Sequence, residues 1–227
     1  MAAPPPPNFD ARLVPVVRTD AHLEVVAAHQ LLPDALRARF RVPPLHWTPE
    51  LSTEGRFTER APAHAAVLVP VVMREHPTVL LTQRTTHLSS HSGQIAFPGG
   101  KTDPHDKDAA ATALREASEE VGLDPKYAEV LGTLPIYTTG SAYLVTPVIA
   151  LVHADVQWTA NPHEVADLFE VPLAFLMNPA HHRHHAMDWA GATRHWLSMP
   201  YQDGATERFI WGATAGMLRN LYGFLKA

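Results

Sequence analysis

The chain has 227 residues, 46% hydrophobic and 18% charged, which is the composition of a globular protein and excludes a disordered one. Its formal net charge of −5 gives no overall positive field for nucleic acid or anionic lipid. The absence of cysteine excludes disulfides, thiolate metal sites and cysteine nucleophiles. No apolar run reaches the roughly 18 residues of a membrane span, and the start, MAAPPPPNFD, lacks the segments of a secretory signal. We therefore expect a soluble cytoplasmic protein that binds neither nucleic acid nor membrane.

The first 60 residues are predicted to be an extension, and residues 61–227 a single domain. The predicted parts of the extension are an extended proline tail at Pro4–Pro7, one or two helices over Leu23–Phe40 interrupted by Pro33, and an irregular connector over residues 42–64.

Strand-like and helix-like runs then follow one another without a strict repeat. The predicted strands are Ala65–Met73, Thr78–Gln83, Ile95–Phe97, Val130–Leu134, Leu144–His153 and His195–Met199. The predicted helices are Asp108–Val121 and Ile210–Leu225, with short helical or turn segments at Val165–Phe169 and Leu173–Met177. Because the pattern is not a regular βαβ alternation, it favours an α/β or α+β domain built on a mixed sheet.

Two compositional features outside these runs are predicted to be structural. The HHRHH tract at 181–185 has no acidic or histidine partner at a zinc-site spacing, so a solvated loop is the interpretation we adopt over a metal site. The tryptophans, including Trp196 and Trp211, are predicted to lie in the core and not to stack on a ligand.

The predicted helix at 108–121 carries three glutamates at its C-terminal end, where a helix gains nothing from them. Like charges three and four residues apart repel each other, and carboxylates in the last turn face the negative end of the helix dipole. On a helical wheel an apolar stripe occupies one side, and the three acids are predicted to share the opposite, polar side. The acids are Glu116, Glu119 and Glu120, and the stripe is Ala110, Ala113, Leu114, Ala117 and Val121.

These carboxylates are spaced to share a divalent cation, although a solvated polar face is the simpler alternative. Mg²⁺ prefers oxygen ligands and commonly lies between one or two carboxylates and substrate phosphates. In the preceding turn, FPGG, the glycines Gly99 and Gly100 let the backbone approach a ligand closely, and the Gly100 carbonyl adds an oxygen. The sequence therefore predicts a Mg²⁺ or Mn²⁺ site between this turn and the helix.

The residues G…REASEEVGL, from Gly100 to 123, resemble the Nudix box, G-x5-E-x7-R-E-U-x-E-E-x-G-U, where U is aliphatic. One extra residue precedes Arg115, and Asp106 stands where the pattern has its first glutamate, so the role of Asp106 is open. The resemblance implies a Nudix fold, in which helices sandwich a mixed sheet. It also implies hydrolysis of a nucleoside diphosphate linked to another moiety.

The same resemblance implies a role for each acidic residue of the box. Glu116 and Glu120 are the expected metal ligands, with Glu119 assisting, and Arg115 is expected to orient a carboxylate rather than touch substrate. The base that takes the proton from water is left open between a box glutamate and a distant loop acid. Glu164 is the loop candidate, and capping of the next helical segment is its alternative role.

Residues 80–100, LLTQRTTHLSSHSGQIAFPGG, resemble the signature of the coenzyme A pyrophosphatase branch. Similarity extends over roughly 65–221 and implies cleavage of coenzyme A, or a derivative, to 4′-phosphopantetheine and adenosine 3′,5′-bisphosphate. Arg84 is the expected phosphate contact, alongside Gly99 and Gly100. Ser89 stands where the signature has arginine, so His87, His91 or Lys101 is needed as a substitute.

Two rival interpretations stay open at this stage. One is a Nudix pyrophosphatase for ADP-ribose, NADH or a nucleotide sugar, because the box reports on the diphosphate and not on the flanking group. The other is a non-catalytic Nudix-fold binding module, which the intact box carboxylates and Arg115 disfavour. A homodimer and a monomer are equally open.

Overall fold

The computed structural model describes residues 9–50, 58, 60–85, 93–189 and 191–227. Its strands are β1 (Val16–Thr19), β2 (Ala63–Val72), β3 (Thr78–Arg84), β4 (Ile95–Ala96), β5 (Gly99–Lys101), β6 (Ala128–Thr133), β7 (Tyr137–Thr138), β8 (Tyr143–Val152), β9 (Val165–Pro172), β10 (Arg183–Trp189), β11 (Ala192–Asp203) and β12 (Thr206–Trp211). Its α-helices are α1 (Pro33–Arg41), α2 (Ala109–Val121), α3 (Leu173–Leu176) and α4 (Gly212–Lys226). No helix within these ranges is long and apolar enough to cross a membrane.

A mixed sheet forms the centre of the molecule, as the sequence predicted. Strands β2 and β8 run parallel along their whole lengths, and β3 continues the sheet on the other side of β2. Alternate side chains of β2 point to opposite faces: Leu68 packs with α2 on one, and Val69 packs with α4 on the other. Helices therefore cover both faces of the sheet, which confirms the predicted layered arrangement.

A second, antiparallel sheet has the strand order β1-β10-β11-β12. Here the prediction of a solvated loop for the HHRHH tract is wrong, because residues 183–185 begin β10. His185 is buried, with its Nε2 2.7 Å from Ser198 Oγ and its Nδ1 2.9 Å from the Val14 carbonyl oxygen. Alternating burial along a strand explains how a run of polar residues can form part of a core, since hydrogen bonds satisfy the buried rings. Trp196 is buried as predicted, and Trp211 is partly buried.

The described part of the N-terminal extension packs against the rest of the chain. Strand β1 pairs with β10, and α1 contacts β6, where Arg37 forms an ion pair with Glu129 at 2.7 Å. A 3₁₀ helix at Ala28–Leu31 ends just before α1 begins at Pro33, so the predicted break at Pro33 is found. Proline suits the first turn of α1 because a missing N–H costs nothing there. The proline tail at 4–7 lies outside the described residues.

Two other predicted elements are corrected by the structure. Residues 165–169 belong to β9, which pairs with the full length of β3, and not to a helical segment. Apolar side chains at Val165 and Phe169 suit the spacing of either element, and pairing with β3 decides between them. The closing helix begins at Gly212 and not at Ile210, because Ile210 and Trp211 complete β12.

Candidate active site

Helix α2 is held in place by caps at both ends. The Asp108 carboxylate accepts a hydrogen bond from the Ala111 N–H at 2.8 Å, and Gly122 ends the helix in the left-handed conformation at φ 69°. Ala113 and Ala117 are fully buried against the central sheet. Their small side chains let the helix backbone lie close to β2, so the position of every glutamate on α2 is fixed relative to the FPGG turn.

Glu120 lies on the buried side of α2 and not on the polar side that the wheel predicted. Seven residues after Ala113, it falls within about 20° of that residue around the helix, and it is 3% exposed. Its carboxylate accepts a hydrogen bond from the Gly99 N–H at 3.1 Å, and Arg84 Nη1 approaches to 3.7 Å. Burial raises the pKa of Glu120 to about 7, because these two partners offset only part of the desolvation. A cation bound next to this carboxylate would therefore stabilise its ionised form.

Glu116 lies directly against the backbone of β5. A Cβ atom on Gly100 would be 2.5 Å from Glu116 Oε2, so a larger residue at this position would displace the carboxylate. Burial raises the pKa of Glu116, although Arg115 opposes the shift. Glu119, by contrast, has a side chain that is 57% exposed. The three glutamates thus differ in environment, with two against the FPGG turn and one towards solvent.

Arg115 forms the centre of a polar cluster at the start of this site. Its guanidinium donates two hydrogen bonds to Asp106, at 2.9 and 3.1 Å, one to Glu116 at 2.8 Å and one to the Lys101 carbonyl at 3.1 Å. Hydrogen bonds from Arg115 also hold the pKa of Asp106 well below its usual range. With its donors engaged in this way, Arg115 has the contacts of an orienting residue.

The role of Asp106, left open by the sequence, follows from these contacts. Its carboxylate also accepts hydrogen bonds from Thr112 Oγ1 at 2.9 Å and from the Asp103 N–H at 2.8 Å. Four donors therefore fix Asp106, which in turn fixes Arg115. The shorter aspartate reaches Arg115 from a loop that is one residue longer than the box pattern.

Glu164 approaches the same carboxylates from the loop before β9. The Glu164 charge raises the pKa of both Glu116 and Glu120. The loop is tied to α2, because the Asn161 N–H donates to the Glu120 carbonyl at 2.8 Å, and to β3, because the Thr85 N–H donates to the Glu164 carbonyl at 3.0 Å. Capping of a following helix is excluded as its role, since the next element is a strand.

Of the remaining predicted substrate contacts and their possible substitutes, some are described by the structure and others are not. Arg84 ends β3 beside Glu120, and its buried Nε has no hydrogen-bond partner among the residues that the structure describes. Lys101 points towards Tyr143, with its ammonium 5.8 Å from the ring centre. His87, Ser89 and His91 lie outside the described residues.

The site offers oxygen ligands of the kind that Mg²⁺ and Mn²⁺ take. Within the part of the chain that the structure describes, no three histidine, aspartate or glutamate side chains form a ready-made metal cluster. Glu116 and Glu120 are instead turned towards Arg115 and Arg84. A buried and a partly buried carboxylate next to a glycine backbone nevertheless fit a divalent cation, because carboxylate and carbonyl oxygens are hard donors.

Comparison with known proteins gives consistent matches. The NUDIX domain family model matches residues 62–189. The chain is 41% identical over 170 residues to the uncharacterized Nudix hydrolase NudL of Yersinia pestis (strain Pestoides F), covering 74% of this chain and 83% of that protein. NudL of Yersinia pseudotuberculosis serotype O:1b matches with the same identity and coverage. Among solved structures, a C. elegans Ap4A hydrolase binary complex matches with a TM-score of 0.42 and 22% identity, over 52% of this chain and 85% of that one.

Proposed function

The chain belongs to the Nudix family, and we propose that it hydrolyses the pyrophosphate bond of coenzyme A or its derivatives with Mg²⁺ or Mn²⁺. The products are 4′-phosphopantetheine and adenosine 3′,5′-bisphosphate. Water supplies the oxygen added to one phosphoryl group, and the bridging oxygen leaves with the other. The similar Yersinia proteins are named only as Nudix hydrolases, so the choice of substrate rests on this chain's own residues.

One observation carries the choice of substrate. Arg84, the arginine of LLTQR, has its Nη1 3.7 Å from Glu120 Oε1 of REASEEVGL. The motif that resembles the coenzyme A branch and the motif for diphosphate hydrolysis therefore meet at one pair of side chains. The Arg84 Nε, which has no partner in the described part of the chain, is a further donor for a substrate phosphate.

The metal would be held by Glu116 and Glu120, with Glu119 assisting and the Gly100 carbonyl adding an oxygen. When bound, the metal neutralises charge on the diphosphate and lowers the pKa of a water molecule. Arg115, fixed by Asp106, orients the Glu116 carboxylate. Gly99 and Gly100 are assigned to the diphosphate through their backbone groups, because they lie directly beside Glu120 and Glu116.

We propose Glu164 as the proton acceptor. Its charge acts on both Glu116 and Glu120, and it belongs to a different element from these proposed metal ligands. A box glutamate is the alternative. Glu164→Gln should lower kcat by about 10²–10⁴-fold at saturating Mg²⁺, whereas a near-wild-type kcat would assign the proton to the box.

A substrate panel tests the proposed function. Coenzyme A, dephospho-coenzyme A, ADP-ribose and NADH are incubated with the Mg²⁺-loaded protein, and with Glu116→Gln as the inactive control. Coenzyme A should have the highest kcat/KM of the four. Preferential cleavage of ADP-ribose or NADH would contradict coenzyme A as the substrate but would still agree with hydrolysis of a nucleoside diphosphate.

A further inference from the structure

A groove of about 410 Å³ lies beside the site and plays no part in the mechanism above. Its lining includes the aromatic side chains of Phe9, Phe209 and Trp211 together with Gln83, Gly93 and Ile95. The last three belong to the 80–100 stretch that resembles the coenzyme A branch. The volume falls in the range of about 300–1,000 Å³ that is usual for small-molecule pockets.

The groove and the carboxylate site are linked through consecutive residues of β3. The pairing of β3 with β9 is irregular between Gln83 and Arg84, and the two side chains have different neighbours. Arg84 lies beside Glu120, whereas Gln83 Oε1 accepts a hydrogen bond from Arg208 Nη1 at 3.2 Å on the groove side. Because Gln83 and Arg84 are consecutive, the groove lining begins one residue from the cation that is proposed to hold the diphosphate.

Charge decides which part of a substrate the groove suits. Arg208 is already paired with Asp167 at 2.7 Å and Asp203 at 3.0 Å. Of the other charged lining residues, Asp10 and Glu207 are acidic, and Arg12 is basic. The lining thus has two carboxylates and two guanidinium groups, and the pairing of Arg208 with two further carboxylates leaves no surplus positive charge to attract a phosphate.

The aromatic side chains and the amide of Gln83 suit a neutral chain that has both apolar and hydrogen-bonding parts. Phe9 and Trp211 are in edge contact, with ring centres 6.2 Å apart, and both are partly exposed. Coenzyme A has such a part in its pantetheine arm, which carries two amides and a dimethyl group. Its other part, the phosphorylated adenosine, is strongly anionic.

We propose that this groove binds the neutral, amide-containing arm of the diphosphate substrate and leaves the phosphorylated nucleoside on the Arg84 side. The inference rests on the proposed function, since it assigns one half of that substrate to a surface. It makes the groove a specificity determinant that rejects an anionic group in place of the arm.

The test uses the two product halves as inhibitors of coenzyme A cleavage by the Mg²⁺-loaded protein. Phe9→Ala and Trp211→Leu should each raise the inhibition constant of 4′-phosphopantetheine by roughly tenfold, about 1.4 kcal/mol, because an aromatic wall of the groove is lost. The inhibition constant of adenosine 3′,5′-bisphosphate should not change. Trp189→Leu, which removes a tryptophan outside the groove lining, is the matched control.

Each outcome decides the matter. Unchanged inhibition by 4′-phosphopantetheine in both variants would overturn the proposal, as would weakened inhibition by adenosine 3′,5′-bisphosphate, which would give the groove to the nucleoside. A wild-type protein that 4′-phosphopantetheine does not inhibit would also count against it. Failure of the wild-type protein to cleave coenzyme A is a separate result, which contradicts the proposed function itself.

Discussion

Two glutamates lie near opposite ends of strand β3 and have opposite environments: Glu170, on the neighbouring strand β9, and Glu120, on helix α2. Near its start, Glu170 accepts hydrogen bonds from Arg74 at 2.6 and 3.1 Å, from Thr78 Oγ1 at 2.5 Å and from Trp158 Nε1 at 3.1 Å. Burial opposes ionisation of Glu170, but these donors outweigh it and lower the pKa of the carboxyl.

At the other end of the strand, Glu120 has one backbone donor and an arginine at 3.7 Å, and its pKa is raised to about 7. Both regions pair a carboxylate with an arginine at the edge of the same sheet. Only the second leaves the carboxylate short of partners. A buried group that the fold leaves unsatisfied is a candidate for function, whereas a fully bonded one is structural.

The largest effect should come from the under-bonded carboxylates. Glu116→Gln or Glu120→Gln should lower kcat by orders of magnitude while the fold is kept, since each removes a metal-ligating charge. Metal-free thermal stability should hold or rise slightly, because a repelling charge is lost. Glu119→Gln, on the exposed position of the same helix, is the matched control with a smaller effect. Near-wild-type turnover of both buried variants would contradict the assignment.

The next effect concerns Arg84. If its guanidinium binds a substrate phosphate, Arg84→Ala should raise KM for coenzyme A by an amount equivalent to about 1.5–3 kcal/mol, with a smaller change in kcat. Steady-state kinetics at saturating Mg²⁺ measure both constants. Arg74→Ala, at the opposite end of the sheet, should leave KM unchanged. Equal KM values for wild type and Arg84→Ala would show that Arg84 pairs with Glu120 but does not bind a substrate phosphate.

At the fully bonded end the expected loss is in stability and not in activity. Glu170→Gln leaves Arg74 without its ionic partner, which should lower the free energy of unfolding. Because Arg74 is partly exposed, the decrease should be near the lower end of ~1–3 kcal/mol. Urea denaturation measures this change. A large fall in kcat for Glu170→Gln with an intact fold would remove the distinction between the two ends.

The last expected effect is on the pH dependence of the free energy of unfolding, which should differ between Glu170 and Glu120. The folded-state pKa of Glu170 lies below its ordinary value of 4.5, so its stabilisation is present above that pH and is lost as pH falls through the lowered pKa. The stability difference between wild type and Glu170→Gln should therefore shrink in acid.

Glu120 should show the opposite sign in metal-free protein. Its pKa is raised from 4.5 to about 7, so its contribution is present below 4.5 and is lost as pH rises towards 7. Chemical denaturation across this range in the presence of EDTA measures both slopes. Parallel pH profiles for Glu120→Gln and Glu170→Gln would contradict the comparison.

Local signals in the sequence were enough to predict the scaffold of the site. Asp108 and Gly122 mark the ends of α2 because capping depends on neighbouring residues alone, and the apolar runs of β2 and β8 mark a sheet buried on both faces. The burial of Glu120 was missed, although the same wheel places it beside Ala113. The charge of the three glutamates suggested one polar face, and the position of Glu120 around the helix was given less weight than its charge.

Pairing between distant segments could not be predicted in the same way. Segment 165–172 is a strand because β3 offers a partner, and the histidine tract is a strand because β1 and β11 flank it. The link between Asp106 and Arg115 likewise depends on how the loop folds back on α2. Each of these depends on a tertiary contact that no local pattern contains.

The most direct test of the account is the cleavage of coenzyme A by the Mg²⁺-loaded protein in ¹⁸O-labelled water, with the products weighed by mass spectrometry. We expect 4′-phosphopantetheine and adenosine 3′,5′-bisphosphate, with one ¹⁸O atom in one of the two and no reaction in Glu120→Gln. Intact coenzyme A, or labelled inorganic phosphate released from the 3′ position, would contradict it.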